Sequence, residues 1–506
     1  VAVSEARLER AICESVEDHR EEGVRLLQDL IRAPSYSGLE GTACDSATMV
    51  GRVYRAATSH RTEVDVQPVG ETSENIVEVI RGVGPRTFLL EAHTDIVPEG
   101  EAQRWFEGQP FSGAEGYVEY LGDGQVEIDM GHARYRAVIR EQMERVWTQK
   151  RADRRRPIIY GRGSFDNKGC VASLLLAMQA LAEALPAVGE RLNGSVIGAY
   201  TVDEEAGCAG IRRFACDDGS WMATHGFMAG PRDAAGFQTE VSGIALDGSY
   251  GWVPVVGHRG GLQCVITVHG KAAHAATPQL GVNAVEHMSR LLVHLVNSQD
   301  ELSARLLRFM DASLLGPPSL AIGTTIVGGG IRAVHRDTTG TRVERGGVNS
   351  IPDRCEATLD VRFPAGHEYP RNIAAGYHAV VEGIRSYLAE TVHPEGWTYD
   401  IQPIAGSASP PVRLGRTLAD AADLPIVRRV RDRGQQILGY LPDLAIAPGG
   451  TDATLMIHEA RIPTLVEFGP AGGLSHDVHE FVERDDVIAG AKILALLALD
   501  TLGLAG

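Results

Sequence analysis

The segment EAHTDIVPEG, Glu91 to Gly100, follows the apolar run RTFLL with a histidine, His93, and an aspartate, Asp95, two residues apart. If a strand runs through both, its period of two turns the side chains to one face. That suits an imidazole on a metal with a carboxylate behind it, although a polar strand end facing water also explains an isolated HTD. Further on, YGRGSFDNKG delivers Asp166 from a glycine turn just before a long apolar helix, where Asp is equally a good cap. TVDEEAG places Asp203, Glu204 and Glu205 in a row at a strand end, and such a row needs water or a cation to offset its repulsion. ALDGSYG offers Asp247, which a surface turn explains fully. GPAGGLSHDVHE follows the strand-like IPTLVEF and carries His476 and His479, with comparable claims on sequence grounds.

Taken together, these are two histidines and three or four carboxylates, each at a strand end or glycine loop. That donor set fits two adjacent divalent ions, with mixed nitrogen and oxygen ligation favouring zinc, cobalt or manganese over calcium. Such a pair lies roughly 3.5–4 Å apart and shares one water. The neighbours Glu204 and Glu205 allow a division of labour, one coordinating and the other acting as base.

The elements that must position them alternate between strand-like runs and helical patterns, an α/β texture. TFLLEAHTDIV and SVIGAYTVDEEAG read as strands, and GCVASLLLAMQALAEAL as a buried helix; sites in open α/β sheets gather at the carboxyl ends of the strands. From Gly257 the order becomes strand–helix–strand–strand–helix–strand, that of a ferredoxin-like layer. We therefore expect a discontinuous domain of residues 1–256 and 406–506 with residues 257–405 inserted. Residues 114–156 form an extra insertion: a hairpin turned at Asp123-Gly124, then a charged helix from His132 to Arg156 with Val138, Met143 and Val146 as sparse apolar points. Surface decoration is the default for such a helix; a lid or an oligomer contact are the alternatives.

The chain has 506 residues and a net charge of −18, which argues against nucleic acid or anionic membrane as main partners. Seven scattered cysteines form no CxxC pair and fit a reducing cytoplasm. The N-terminal stretch reads as an amphipathic helix rather than a signal peptide, and no apolar run is expected to reach the roughly 18 residues of a membrane span.

HTDIVPEG, GRGSFDNKG, DEEAGCAG, HGKAAHAATPQLGVNA, GVNSIPDRCEATLDVR, GGTDA and GLSHDVHE stand in the order of the M20 metallopeptidase family. Acetylornithine deacetylase, succinyl-diaminopimelate desuccinylase and carboxypeptidase G2 belong to that family, and the resemblance runs from about Arg86 to the C-terminus. It implies a phosphorylase/hydrolase-like zinc-peptidase domain with an inserted lid that makes a homodimer. By motif, His93 resembles the first metal's terminal ligand, Asp166 the bridge, Glu205 a ligand of the second metal and His476 that metal's histidine. Glu204 resembles the general base, and Asp95 the carboxylate that orients His93. Asp247 fits the first metal's remaining ligand by spacing, with Asp233 and Glu240 as rivals. His274 resembles a histidine that reaches the partner's active site to stabilise the oxyanion. Arg362 resembles a substrate-carboxylate clamp, and Asn349, Gly450 and Thr451 resemble further substrate contacts. Without the family, His274 reads as a capped loop residue and Arg362 as an exposed strand arginine. The 114–156 insertion and the lengthened loop from His335 to Gly347 depart from the family pattern.

The implied activity is hydrolysis of an amide C–N bond, in an N-acyl amino acid or dipeptide-like carboxylate. Aminohydrolase or ureidohydrolase chemistry, dipeptidase or carboxypeptidase action, and a metal-stabilised protein with a dead site are the alternatives.

Overall fold

The computed structural model describes residues 2–139, 153–329, 331–337, 340–345, 349–370 and 372–505. The chain divides into two compact units: Val1–Val256 with Ala419–Ala445 and Thr451–Gly506, and Gly257–Leu418 with Ile446–Gly450.

The first unit is built on a six-stranded mixed sheet. Its centre is the strand Thr87–His93, flanked in parallel by Ser195–Thr201 and Val241–Leu246, with His93 beside Thr201 and Ala92 beside Leu246. All seven residues of Thr87–His93 are buried, as expected of an apolar run covered on both faces. Glu63–Pro68, Glu74–Ile80 and the short Thr464–Leu465 complete the sheet. Beneath it lies the helix Gly169–Val188, closed by Gly189 in the left-handed conformation that ends helices. The last helix, Arg484–Leu502, packs on it, and Ser173 donates across the junction to the Val487 carbonyl. By length and composition the stretch Ser164–Val188 could cross a membrane, contrary to expectation, but 67% of its most apolar window is buried within the protein. It is a core helix.

A second six-stranded sheet explains the insertion. Gly472–Gly473, Phe481–Glu483, Arg155–Tyr160, Ala114–Gly122, Gln125–Asp129 and Arg134–Val138 lie in that order, antiparallel throughout. The expected hairpin turns at Asp123 and Gly124, both with positive φ. The expected helix from His132 is corrected: Arg134–Val138 is a third strand. Tyr135, Ala137 and Ile139 face inward while Arg134, Arg136 and Val138 are exposed, a period of two. Arg134 and Arg136 point out to pair with Glu127. Arg155 and Arg156 open another strand, and residues 140–152 lie outside the described residues.

The second unit holds a four-stranded antiparallel sheet ordered Ser319–Gly328, Arg354–Phe363, Gly260–His269, Thr398–Pro403. Helices Ala284–Asn297, Gln299–Leu306 and Ala374–Thr391 belong to the same unit. The core they share alternates along the strands: Leu262, Cys264, Ile266 and Val268 meet Leu359 and Val361, with Leu291 and Ile384 from the helices.

Candidate metal centre

Three adjacent parallel strands end together. His93 is the last residue of the central strand; Glu204 and Glu205 follow Ser195–Thr201, and Asp247 follows Val241–Leu246. Parallel register forces these ends to one rim of the sheet. Two loops from the second sheet reach the same place. Arg155–Tyr160 runs into the turn that carries Asp166, and Phe481–Glu483 is preceded by the loop that carries His476, with Phe481 opposite Tyr160.

The side chains assemble as two triads that share one residue. His93, Asp166 and Asp247 each offer a ligand atom within 4.8 Å of the others, and so do Asp166, Glu205 and His476. His93 Nε2 lies 3.3 Å from Asp166 Oδ1 and 3.8 Å from Asp247 Oδ1. His476 Nε2 lies 3.3 Å from Asp166 Oδ2 and 3.2 Å from Glu205 Oε2. Asp166 thus turns one oxygen toward each histidine. A third group, Glu204, Cys208 and Asp452, meets the same distance limit.

Asp95 organises the rim from behind. Its Oδ1 is 3.4 Å from His93 Nδ1. The same carboxylate accepts 3.0 Å bonds from the Glu204 and Glu205 backbone amides and a 2.6 Å bond from Ser37 Oγ. One buried acid therefore stands against the imidazole of one strand end and accepts from the turn after its neighbour.

Glu480 does the equivalent work for the loops. Its fully buried carboxylate accepts from the Gly163, Phe165 and Asp166 amides at 2.9, 3.0 and 2.9 Å and from Arg162 Nη1 at 2.6 Å. Arg162 also donates to the Asp477 carbonyl, so the Asp166 and His476 loops are stapled together. Gly163 has φ +77, and a Cβ there would meet Ile96 Cγ2 at 2.5 Å, so glycine is required. The other loop is strained: Leu474, His476 and His479 all have positive φ, at about 1–2 kcal/mol for each non-glycine residue.

Electrostatics favour a cation here. Neither nitrogen of buried His93 makes a hydrogen bond of ordinary geometry, although three carboxylates surround the ring. A buried polar ring without such bonds is costly unless something binds it. Burial and the charge of Asp166 push the Glu205 carboxyl up to about 7. Burial and Asp166 likewise raise Asp247. Burial works against ionised Asp166 too, but contacts with His476 and His93 outweigh it and hold its pKa low. His476 is pushed up to about 10 by Asp166 and Glu205. The imidazoles therefore stand in as cations among acids, a role that divalent ions fill without protons. Histidine nitrogens with carboxylate oxygens fit zinc, cobalt or manganese.

Other expected residues have other surroundings. Asp233 caps an exposed turn through the Ala235 and Phe237 amides, and Glu240 precedes the strand whose far end carries Asp247. His479 stands in an aromatic cluster, its Nδ1 2.9 Å from the Tyr160 hydroxyl. Thr451 is buried, donates to the Val466 carbonyl and accepts from the Ala453 amide. On the second unit His274 is exposed and accepts from the Ala276 amide, and Asn349 and Gly450 are exposed. Arg362 makes a two-pronged pair with Asp360 at 2.7 and 3.2 Å. Sequence reasoning missed Glu480 and Arg162, both inside recognised motifs, and Cys208 and Asp452; no spacing rule marks them.

Residues 137–500 match the model of peptidase family M20/M25/M40. The chain belongs to that family. As a member it is a hydrolase of amide bonds. This M20 chain is 26% identical over 475 residues to a succinyl-diaminopimelate desuccinylase of Methylorubrum extorquens, covering 91% of this chain and 94% of the relative. Among solved structures, human carnosine dipeptidase 1 matches with a TM-score of 0.58 at 15% identity, covering 98% of this chain and 99% of that one. A dinuclear metal-binding M20 peptidase from Bacillus subtilis matches with a TM-score of 0.52 at 14% identity, covering 96% and 99%. The fold is that of an M20 peptidase.

Proposed function

We propose that this hydrolase binds two divalent ions, zinc by preference with cobalt or manganese as substitutes, and cleaves an N-acyl amino acid or dipeptide-like substrate bearing a carboxylate. The observation that carries the reading is the sharing of Asp166 between two ligand triads, one oxygen toward each. His93 and Asp247 would hold one ion and Glu205 and His476 the other, with Asp166 as bridge. When bound, such ions polarise a carbonyl and acidify water.

The chain's own residues supply the rest. Glu204 takes the proton of the attacking water and returns it to the leaving amine. Burial, with the charges of Asp452 and Asp247 added, raises its pKa well above the usual carboxylate range despite the opposing effect of His93. A base of raised pKa is suited to hold a proton between the two transfers. Asp95 keeps the His93 ring oriented and Glu204 in place by its bond to the Glu204 amide. His274 would steady the oxyanion and Arg362 would grip the substrate carboxylate; both roles rest on the family resemblance. Arg362 must then exchange Asp360 for substrate. Asn349, Gly450 and Thr451 are proposed as lesser substrate contacts.

The relative named a succinyl-diaminopimelate desuccinylase supports an N-acyl substrate over the aminohydrolase or ureidohydrolase alternative. The second unit's strand order, with helices between its first two strands and its last two, supports a ferredoxin-like lid. Its edge strand exposes Ile326 and its helix Ala284–Asn297 exposes Val293 and Val296, an apolar surface suited to a homodimer. Seven free cysteines support a cytoplasmic setting.

The test is a screen of N-succinyl, N-acetyl and N-carbamoyl amino acids and dipeptides with zinc-, cobalt- or manganese-loaded protein. Release of a free amine with its carboxylic acid is expected. Ammonia as the product, or no turnover with any metal, contradicts the proposal.

A further inference from the structure

The loop that carries His476 is strained, and the Arg162–Glu480 pair holds only its later end. Three left-handed non-glycine residues within six positions persist only where surroundings over-determine them. Part of the remaining support comes from the insertion. Tyr135, on the third insertion strand, lies with its ring 4.2 Å from that of His479. Phe106 covers the His479 ring at 4.3 Å, and Trp105, Tyr160 and Val478 form the buried centre of the same cluster. Two inward positions further, just past the strand, buried Ile139 closes on the glycine loop: a Cβ on Gly473 would meet Ile139 Cγ2 at 3.3 Å. The strand's outward side is charged and plays no part in this contact.

We propose that Tyr135 and Ile139 are positioning residues, through which the extra hairpin and strand hold residues 473–479 in the conformation that presents His476 to Asp166 and Glu205. The insertion is then a brace of the active site and not a surface decoration. This rests on the reading of His476 as a ligand of the second ion. The brace acts on one triad only, because His93 and Asp247 stand on sheet strands that need no such support.

The experiment compares Tyr135→Ala, Ile139→Ala and Tyr135→Phe with the unaltered protein. It measures zinc per chain after dialysis against limiting metal, kcat and KM with added zinc, and hydrogen exchange by segment. With Tyr135→Ala and Ile139→Ala, retained zinc should fall from two per chain toward one. Their kcat should drop about tenfold and recover in excess zinc, with KM little changed. Exchange should quicken in 473–479 and stay unchanged at 93–95 and 204–205. Tyr135→Phe, which keeps the ring, should behave as the unaltered protein. Full zinc with unchanged exchange in both alanine variants overturns the brace, as does loss of protection throughout the chain. If the unaltered protein itself retains no zinc, the two-ion reading fails, and the exchange pattern alone still decides the brace.

Discussion

The strand-end cluster of the first unit and the proposed substrate residues of the second are made differently. His93, Asp95 and Asp166 are positioned by neighbours within one unit: the register of parallel strands, an acid beside a ring, and a glutamate wrapped by backbone amides. Their arrangement is complete within the chain. His274, Asn349 and Arg362 are exposed or partly exposed; His274 accepts from the Ala276 amide and Arg362 pairs with Asp360. A site that must place charges to a fraction of an ångström is built on rigid elements and buried supports. The residues proposed to meet a substrate stand outside such supports, and Arg362 holds Asp360 as a partner to exchange.

That contrast can be broken in four places. Replacing Glu204 by Gln should lower kcat by about 10²–10⁴-fold while both ions remain bound; metal analysis beside steady-state kinetics checks both halves. Replacing Glu480 by Ala leaves Arg162 buried and unpaired and should cost about 3–5 kcal/mol of stability. Chemical denaturation reads this, and a loss below 1 kcal/mol would mean that the staple is dispensable. Replacing Arg362 by Ala should raise KM for carboxylate-bearing substrates about 10- to 100-fold, from the roughly 1.5–3 kcal/mol of a charged hydrogen bond, with kcat nearly unchanged. An unaltered KM would remove the clamp.

The smallest effect concerns pH. Burial, helped by the charge of Arg104, lowers His479 to about 4. An unfolded histidine takes its proton near 6.5, so between about 6.5 and 4 the unfolded chain binds more protons. Stability should therefore fall as pH drops through that window. Denaturation midpoints at pH 7, 6 and 5 should show this slope, and His479→Phe should flatten it.

Much of the site was legible because its residues end strands or follow glycines, positions where a charged side chain has little other reason to be. The long helix and the hairpin turn at Asp123-Gly124 were legible from run length and turn chemistry. The third insertion strand was not. Arg134 and Arg136 fill outward positions with charge, and reading Val138 as an apolar point imposed a helical period where Tyr135, Ala137 and Ile139 alternate. Glu480 and Arg162 escaped notice because a buried ion pair between distant segments leaves no local pattern. His479 and His476 share a loop and a residue type, and only their surroundings in the fold separate them: Tyr135, Phe106 and Tyr160 around His479, Asp166 and Glu205 beside His476.

Anomalous diffraction at the zinc edge from crystals grown with zinc tests the shared-carboxylate centre most directly. Two peaks per chain are expected, roughly 3.5–4 Å apart, one between His93 and Asp247, the other between Glu205 and His476, with Asp166 touching both. A single peak, or peaks that Asp166 does not join, would contradict it.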